Sequence, residues 1–231
     1  MQNLNYKMRE DICTIPISEA FEGNDGCPIC RMRKTVEERI LDYIMGAAMM
    51  EPDVRIETNR LGFCKDHLHS MMNKRGRLPL ALILESHAKE LADNIFNSSY
   101  QKNGLKASQM HSSCFVCEKI QWGFERMINT IYLTYERDKE FRDLFDSQKF
   151  FCLEHYSLLS SNSSKKVMRK YYSEFNKALE ETTSDYLKQL HADLEKYCSM
   201  YDYRNNTENA DWGTSKDSVE RAALFLTGHD E

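Results

Sequence analysis

Cys27-Pro28-Ile29-Cys30, followed by Phe63-Cys64-Lys65-Asp66-His67, is matched further along by Cys114-Phe115-Val116-Cys117 and Phe151-Cys152-Leu153-Glu154-His155. In the first half 33 residues separate Cys30 from Cys64, and in the second 34 separate Cys117 from Cys152. The cysteine pairs are offset by 87 residues and the Cys-x-x-His pairs by 88, which reads as a tandem duplication. A close cysteine pair plus a distant Cys-x-x-His supplies three thiolates and one imidazole, the donor set of tetrahedral Zn²⁺. The spacing therefore predicts two zinc ions per chain. Cys27, Cys30, Cys64 and His67 form the first site, and Cys114, Cys117, Cys152 and His155 the second.

The residues between the pairs carry helical periodicity: Val36, Ile40, Ile44 and Ala47 in one half, Phe124, Ile128, Ile131 and Tyr135 in the other. A helix over 34–49 carries the chain about 24 Å from the first knuckle. Glu51-Pro52-Asp53 then turns it, and the stretch up to Cys64 brings it back. Each repeat is thus expected to be an out-and-back excursion clamped by its own metal. Further helical stripes follow: Leu80, Leu84, His87, Leu91 and Ile95, then Met168, Tyr172, Phe175 and Leu179, then Leu187, Leu190, Leu194 and Tyr197. The polar residues 98–113 join the halves. The fold class expected is all-α, two zinc-clamped pseudo-repeats packed into one compact body with a C-terminal helical lid. Its parts are an N-terminal segment (1–23), the first repeat (24–100), the second (110–200), and a C-terminal loop and short helix (201–231).

Arg55 and Arg142 align between the repeats, as do Glu38 and Glu125. Three thiolates on Zn²⁺ leave a net negative charge, so each arginine is placed either beside the metal or in an ion pair with the aligned glutamate. Two exposed arginines are the third alternative. His69 and His111 flank the ligands as candidate supporting groups. His87, on an apolar stripe, reads as a hydrogen-bonded core histidine; His191 and His229 complete the set that could ligate or act as bases. Cys13 and Cys198 have no partner at ligand spacing and are expected to stay metal-free, Cys198 as a buried apolar residue. Near the C-terminus Ser215 can cap a helix that stops at Gly228 and buries Val219, Ala222, Ala223 and Leu226. Trp212 either packs on the body beneath that lid or joins Tyr203 and Arg204 in a docking surface.

Composition narrows the function. Gly at 9 and Pro at 4 leave few turns for a β fold. A net charge of -5 without a basic block excludes nucleic acid as the expected partner. No apolar run approaches the roughly 18 residues that span a bilayer. Arg9, Glu10 and Asp11 stand where a signal peptide would be apolar, so a cytoplasmic protein with reduced thiols is expected. No nucleophile elbow, phosphate loop, dinucleotide fingerprint or His-Glu-x-x-His is present, and four protein ligands close a zinc to catalysis. No catalytic residue is assigned. The expectation is a zinc-stabilised binding or scaffold protein that meets a partner protein or another copy of itself. The alternative is a redox protein or sensor using an iron–sulfur cluster or labile zinc thiolates.

The chain also resembles an uncharacterised bacterial family, a domain of unknown function with twin Cys-Pro-x-Cys and Gly-Phe-Cys-x-x-His motifs. The resemblance is carried by Thr14-Ile15-Pro16-Ile17 with Glu19-Ala20-Phe21, by Cys27-Pro28-Ile29-Cys30, and by Met49-Met50-Glu51-Pro52-Asp53-Val54-Arg55. Gly62-Phe63-Cys64 with His67, Leu80-Ala81-Leu82 with Glu85-Ser86-His87, and Asp202-Tyr203-Arg204-Asn205 extend it, as do Trp212-Gly213 and Asp217. The second half departs from the motifs in having Phe115 for proline and Phe150 for glycine, neither of which is a ligand. The resemblance implies metal binding and no particular activity.

Overall fold

The computed structural model describes residues 17–23, 26–46, 50–202 and 211–228, and among them there is no strand. The helices are α1 (17–22), α2 (Pro28–Met45), α3 (Pro52–Leu61), α4 (Lys65–Asn73), α5 (Arg77–Ile95), α6 (Tyr100–His111), α7 (Phe115–Arg137), α8 (Lys139–Asp146), α9 (Leu153–Asn162), α10 (Tyr172–Ser199) and α11 (Ser218–Thr227). A short 3₁₀ turn, Gly213–Ser215, precedes α11. None of these helices is long and apolar enough to cross a membrane.

The all-α class is as the composition implies, but the division of the chain is not. Its two compact units are Arg33–Glu125 and Met1–Met32 with Arg126–Glu231, and their bounds fall inside the expected repeats. Helix lengths give the reason. Outward, α2 has 18 residues and α7 has 23, about 27 Å and 35 Å at the α-helical rise. The returning α3 and α8 have 10 and 8 residues, only about 15 Å and 12 Å. The excursion does not come home.

In the Arg33–Glu125 unit, Leu41, Ile44, Leu61, Met71, Leu80, Ile83, Phe115 and Ile120 form the core. Helix α5 packs on α3, α4 and α6. Its inner face is Leu80, Ile83 and Ile95, while the expected Leu84 points outward. The stretch expected as a polar connection is helical: α6 buries none of its residues. Of the first helix's expected stripe, Ile44 is buried, Val36 and Ile40 are half-buried, and Ala47 lies outside the described residues.

The other unit has an aromatic centre. Phe145 is fully buried and stacks among Phe21, Tyr135, Phe151 and Phe175, with ring centroids 4.8 to 5.8 Å away. The Tyr132 hydroxyl donates to the Leu159 carbonyl at 2.9 Å, so its burial leaves no stranded polar group. Helix α10 packs on α8, α9 and α11 through Phe175, Leu179, Thr183, Leu190 and Asp193. The expected Leu187 is exposed, because polar residues of α10 are needed inward. Asp193, itself buried, accepts from Gln189 at 3.1 Å, Thr214 at 2.8 Å and Arg221 of α11 at 2.9 Å. That clamp sets the rotation of α11. Its buried residues are Ser218 and Phe225, with Phe225 against Phe150 and Tyr186, whereas Val219 and Leu226 face solvent. The expected apolar face is thus corrected by a fraction of a turn. Gly228 does end the helix, at φ +73° and with its N–H on the Leu224 carbonyl. Ser215 sits in the 3₁₀ turn and donates to the Trp212 carbonyl instead of capping α11.

Candidate metal centres

Each of the four ligand pairs lies at the start of a helix. Cys64 and Cys152 are the N-cap residues of α4 and α9, in extended backbone, with His67 and His155 in the first turns. Cys27 and Cys114 immediately precede α2 and α7, whose first turns hold Cys30 and Cys117. The first main-chain bonds of the four helices run to the ligand carbonyls: Arg31 to Cys27, Leu68 to Cys64, Glu118 to Cys114 and Tyr156 to Cys152. A spacing of three residues across an N-terminus turns both side chains toward one point beyond the helix end. The unpaired N–H groups and the helix dipole there favour thiolates.

The eight residues come together as two sets of four, each with all its ligand atoms within 4.8 Å of one another. The sets are nested. Cys27 and Cys30 meet Cys152 and His155, and Cys64 and His67 meet Cys114 and Cys117. This corrects the expectation that each half closes its own site: every site joins the Cys-x-x-Cys of one half to the Cys-x-x-His of the other. The short return helices explain why Cys64 does not reach Cys27. A local anchor explains what it reaches instead. The Ser113 hydroxyl donates to the Leu61 carbonyl at 2.7 Å, and the Phe115 N–H donates to the Gly62 carbonyl at 3.0 Å. These bonds lay the start of α7 beside the chain entering α4.

The geometry suits a single tetrahedral ion. Bond lengths of zinc's size imply edges of about 3.8 Å between sulfurs and about 3.6 Å between sulfur and nitrogen. Cys30 and Cys152 sulfurs are 3.7 Å apart, and those of Cys64 and Cys117 are 4.0 Å apart. His155 Nδ1 lies 3.0, 3.3 and 3.7 Å from Cys152, Cys30 and Cys27. His67 Nδ1 lies 3.1, 3.3 and 3.4 Å from Cys64, Cys114 and Cys117. No disulfide links these sulfurs; all six are free thiols.

Proton affinities in the sets are uneven. Burial raises the Cys114 thiol, but hydrogen bonds from His67 and from the backbone of Cys117 and Cys64 outweigh it, holding it down to about 6. Burial and the neighbouring Cys114 push Cys117 up to about 12. In the other set burial likewise opposes ionisation of Cys27, and hydrogen bonds from Cys152, Cys30 and His155 hold it well below the usual thiol range. The Cys152 and Cys27 sulfurs raise His155 to about 9 against the effect of burial. Crowded sulfurs thus favour positive charge, and a dication meets that demand while displacing protons.

The sets differ in cover. Gly228 lies over Cys152 and Cys30: a Cβ built on it would stand 3.0 Å from one sulfur and 3.7 Å from the other. The Cys30 thiol donates to the Gly228 carbonyl at 2.5 Å. Cys27 and Cys152 are buried and Cys30 is half-buried, whereas Cys117 is exposed.

The remaining candidates fall elsewhere. Arg142 donates to the Tyr135 carbonyl at 2.7 Å and lies 3.9 Å over the Tyr171 ring. Glu125 accepts from Gln121 at 2.7 Å. The group that supports a ligand is Glu37, missed by the sequence reading, whose carboxylate is 3.3 Å from His67 Nε2. His69 and His111 are exposed. His87 hydrogen-bonds the Asn59 carbonyl at 2.8 Å and covers Gly62, whose φ of +61° and missing Cβ permit that approach. His191 pairs with Glu195 on the surface. Cys198 is in neither set and is exposed, a correction to its expected burial. Cys13, Tyr203, Arg204 and His229 lie outside the described residues.

Fold and site together define a helical protein with two four-donor thiolate–imidazole centres. Residues 8–231 match the Family of unknown function (DUF6062), and the chain belongs to that family. No curated protein and no solved structure matches it.

Proposed function

We propose that the chain binds two Zn²⁺ ions in closed structural sites and serves in the cytoplasm as a scaffold that docks a partner protein or a second copy of itself. The observation that carries this is the pair of nested Cys₃His sets, each with four donors within 4.8 Å. Four protein donors leave no open position for substrate or water, so the ion ties helix ends together and does no chemistry. Structural zinc contributes on the order of 10–16 kcal/mol, comparable to the whole stability of a domain, about 5–15 kcal/mol.

The spacing also favours zinc over an iron–sulfur cluster. A cluster divides its four protein ligands between two or four irons and so spreads them more widely than one ion does, whereas all four donor atoms of each set lie within 4.8 Å of one another. Elemental analysis of protein purified without oxygen is expected to give two zinc per chain, no iron and no visible absorption. Light scattering during size exclusion tests self-association. One metal or fewer, or iron with a brown chromophore, would overturn the reading.

A further inference from the structure

The two sites have the same donors and different exposure. At the Cys27, Cys30, Cys152 and His155 site, the end of α11 closes over the sulfurs. Gly228 takes a left-handed conformation there, at φ +73°, and its missing Cβ is what lets the backbone approach. The helix behind it is held by the ion pair of Arg221 with the buried Asp193 and by Phe225 packed against the stacked Phe150 and Tyr186 rings. At the Cys64, His67, Cys114 and Cys117 site, His67 and Cys114 are buried, Cys64 is half-buried and Cys117 is exposed. Attack on a metal thiolate, by a competing chelator or an oxidant, needs access to sulfur.

Resting on the two-zinc reading, we propose that the Cys64–His67–Cys114–Cys117 site is the exchangeable, thiol-reactive centre, with Cys117 the first sulfur modified by peroxides, and that α11 seals the other site. The step balances with hydrogen peroxide as oxidant. The Cys117 thiolate attacks one peroxide oxygen; the O–O bond breaks, hydroxide leaves and Cys117 becomes a sulfenic acid. A second thiolate, that of Cys64 at 4.0 Å or of Cys114 in the same helical turn, attacks the sulfenic sulfur. The S–O bond breaks, a second hydroxide leaves, and a disulfide remains. Two thiolates have lost two electrons, peroxide has gained them, and the zinc, left with too few donors, departs. A cellular dithiol restores the site by exchange. The closed site escapes because its sulfurs lie beneath α11.

The test follows zinc release with a colorimetric chelator while peroxide is added to the full-length protein, and maps oxidised and alkylated cysteines by mass spectrometry. One of the two zinc ions is expected in a fast phase, with a disulfide at Cys117 and with Cys27, Cys30 and Cys152 protected. Gly228→Val puts a side chain against Cys152 and is expected to move the second ion into the fast phase as well. Mass mapping of the unaltered chain needs no variant, so a misfolded mutant does not block the result. With two zinc ions at the start, a single release rate, or oxidation of Cys30 and Cys152 first, overturns this inference alone. A starting content below two overturns the zinc reading, and this inference falls with it.

Discussion

The Glu37 carboxylate stands 3.3 Å from His67 Nε2, while Nδ1 of the same ring faces three sulfurs within 3.4 Å. A carboxylate on the outer nitrogen fixes which nitrogen carries the proton, turns the ring and makes the inner nitrogen a better donor. Glu37 sits on α2 and His67 on α4, so this contact also ties two helices of the same unit. Glu37→Ala is expected to weaken metal binding at this site by about 10- to 100-fold and leave the other unchanged. Chelator competition measures it; equal loss at both sites, or none, would remove the role assigned to Glu37.

The nested pairing has a sharp test in double variants. Cys27→Ser with Cys152→Ser disables one site and should leave one metal per chain. Cys27→Ser with Cys64→Ser disables both and should leave none. If each half instead closed its own site, the two results would be exchanged. Metal counting on the purified variants decides between them.

The Asp193–Arg221 clamp predicts a pH-dependent lid. Burial raises the Asp193 carboxyl, but hydrogen bonds from Thr214, Arg221 and Gln189 outweigh it and lower it below the usual carboxylate range. A depressed carboxylate contributes stability that is full above its unfolded value, about 3.9, and is lost as pH falls through the lower folded value. Arg221→Ala should therefore destabilise the protein at neutral pH by about 2–3 kcal/mol, the worth of hydrogen bonds to a charged group. The difference from the unaltered chain should shrink only in strong acid. A difference that vanished already between pH 5 and 7 would contradict the assignment.

Phe145 is completely buried among four other rings. Phe145→Ala is expected to cost about 3–5 kcal/mol, since transfer and cavity terms add. Phe96, exposed at 76%, is the control, and Phe96→Ala should change melting little. Comparable losses for the two in denaturant titrations would mean that the aromatic centre is not the core of its unit.

Cys198→Ser should leave the metal content unchanged, because Cys198 is exposed on α10 and belongs to neither set. Loss of a metal ion on this replacement would show that the ligand sets are incomplete.

Much of the architecture was legible one residue at a time. Few glycines and prolines, with apolar residues at helical spacing, were enough for an all-α chain, and Phe124, Ile128, Ile131 and Tyr135 are all buried as their spacing implies. Where the reading missed, a polar partner had intervened. Leu187 was expected inward, but it lies about 120° around α10 from Asp193, which turns inward to receive Arg221 while Leu187 stays exposed. Glu37 carried no signal of its own, being one acidic residue among many on helix surfaces until His67 arrives beside it.

What the sequence by itself determined is local: that the chain is helical, and which eight side chains are the candidate donors, because both depend on spacings of three and four residues. What only the tertiary structure decided is which of these donors come together in one set. Both pairings satisfy the same ligand count, so nothing in the motifs separates them. The choice rests on unequal helix lengths and on two hydrogen bonds that set Ser113 and Phe115 beside Leu61 and Gly62. Those are long-range relationships, and a ligand motif does not encode the distance its chain must travel to close.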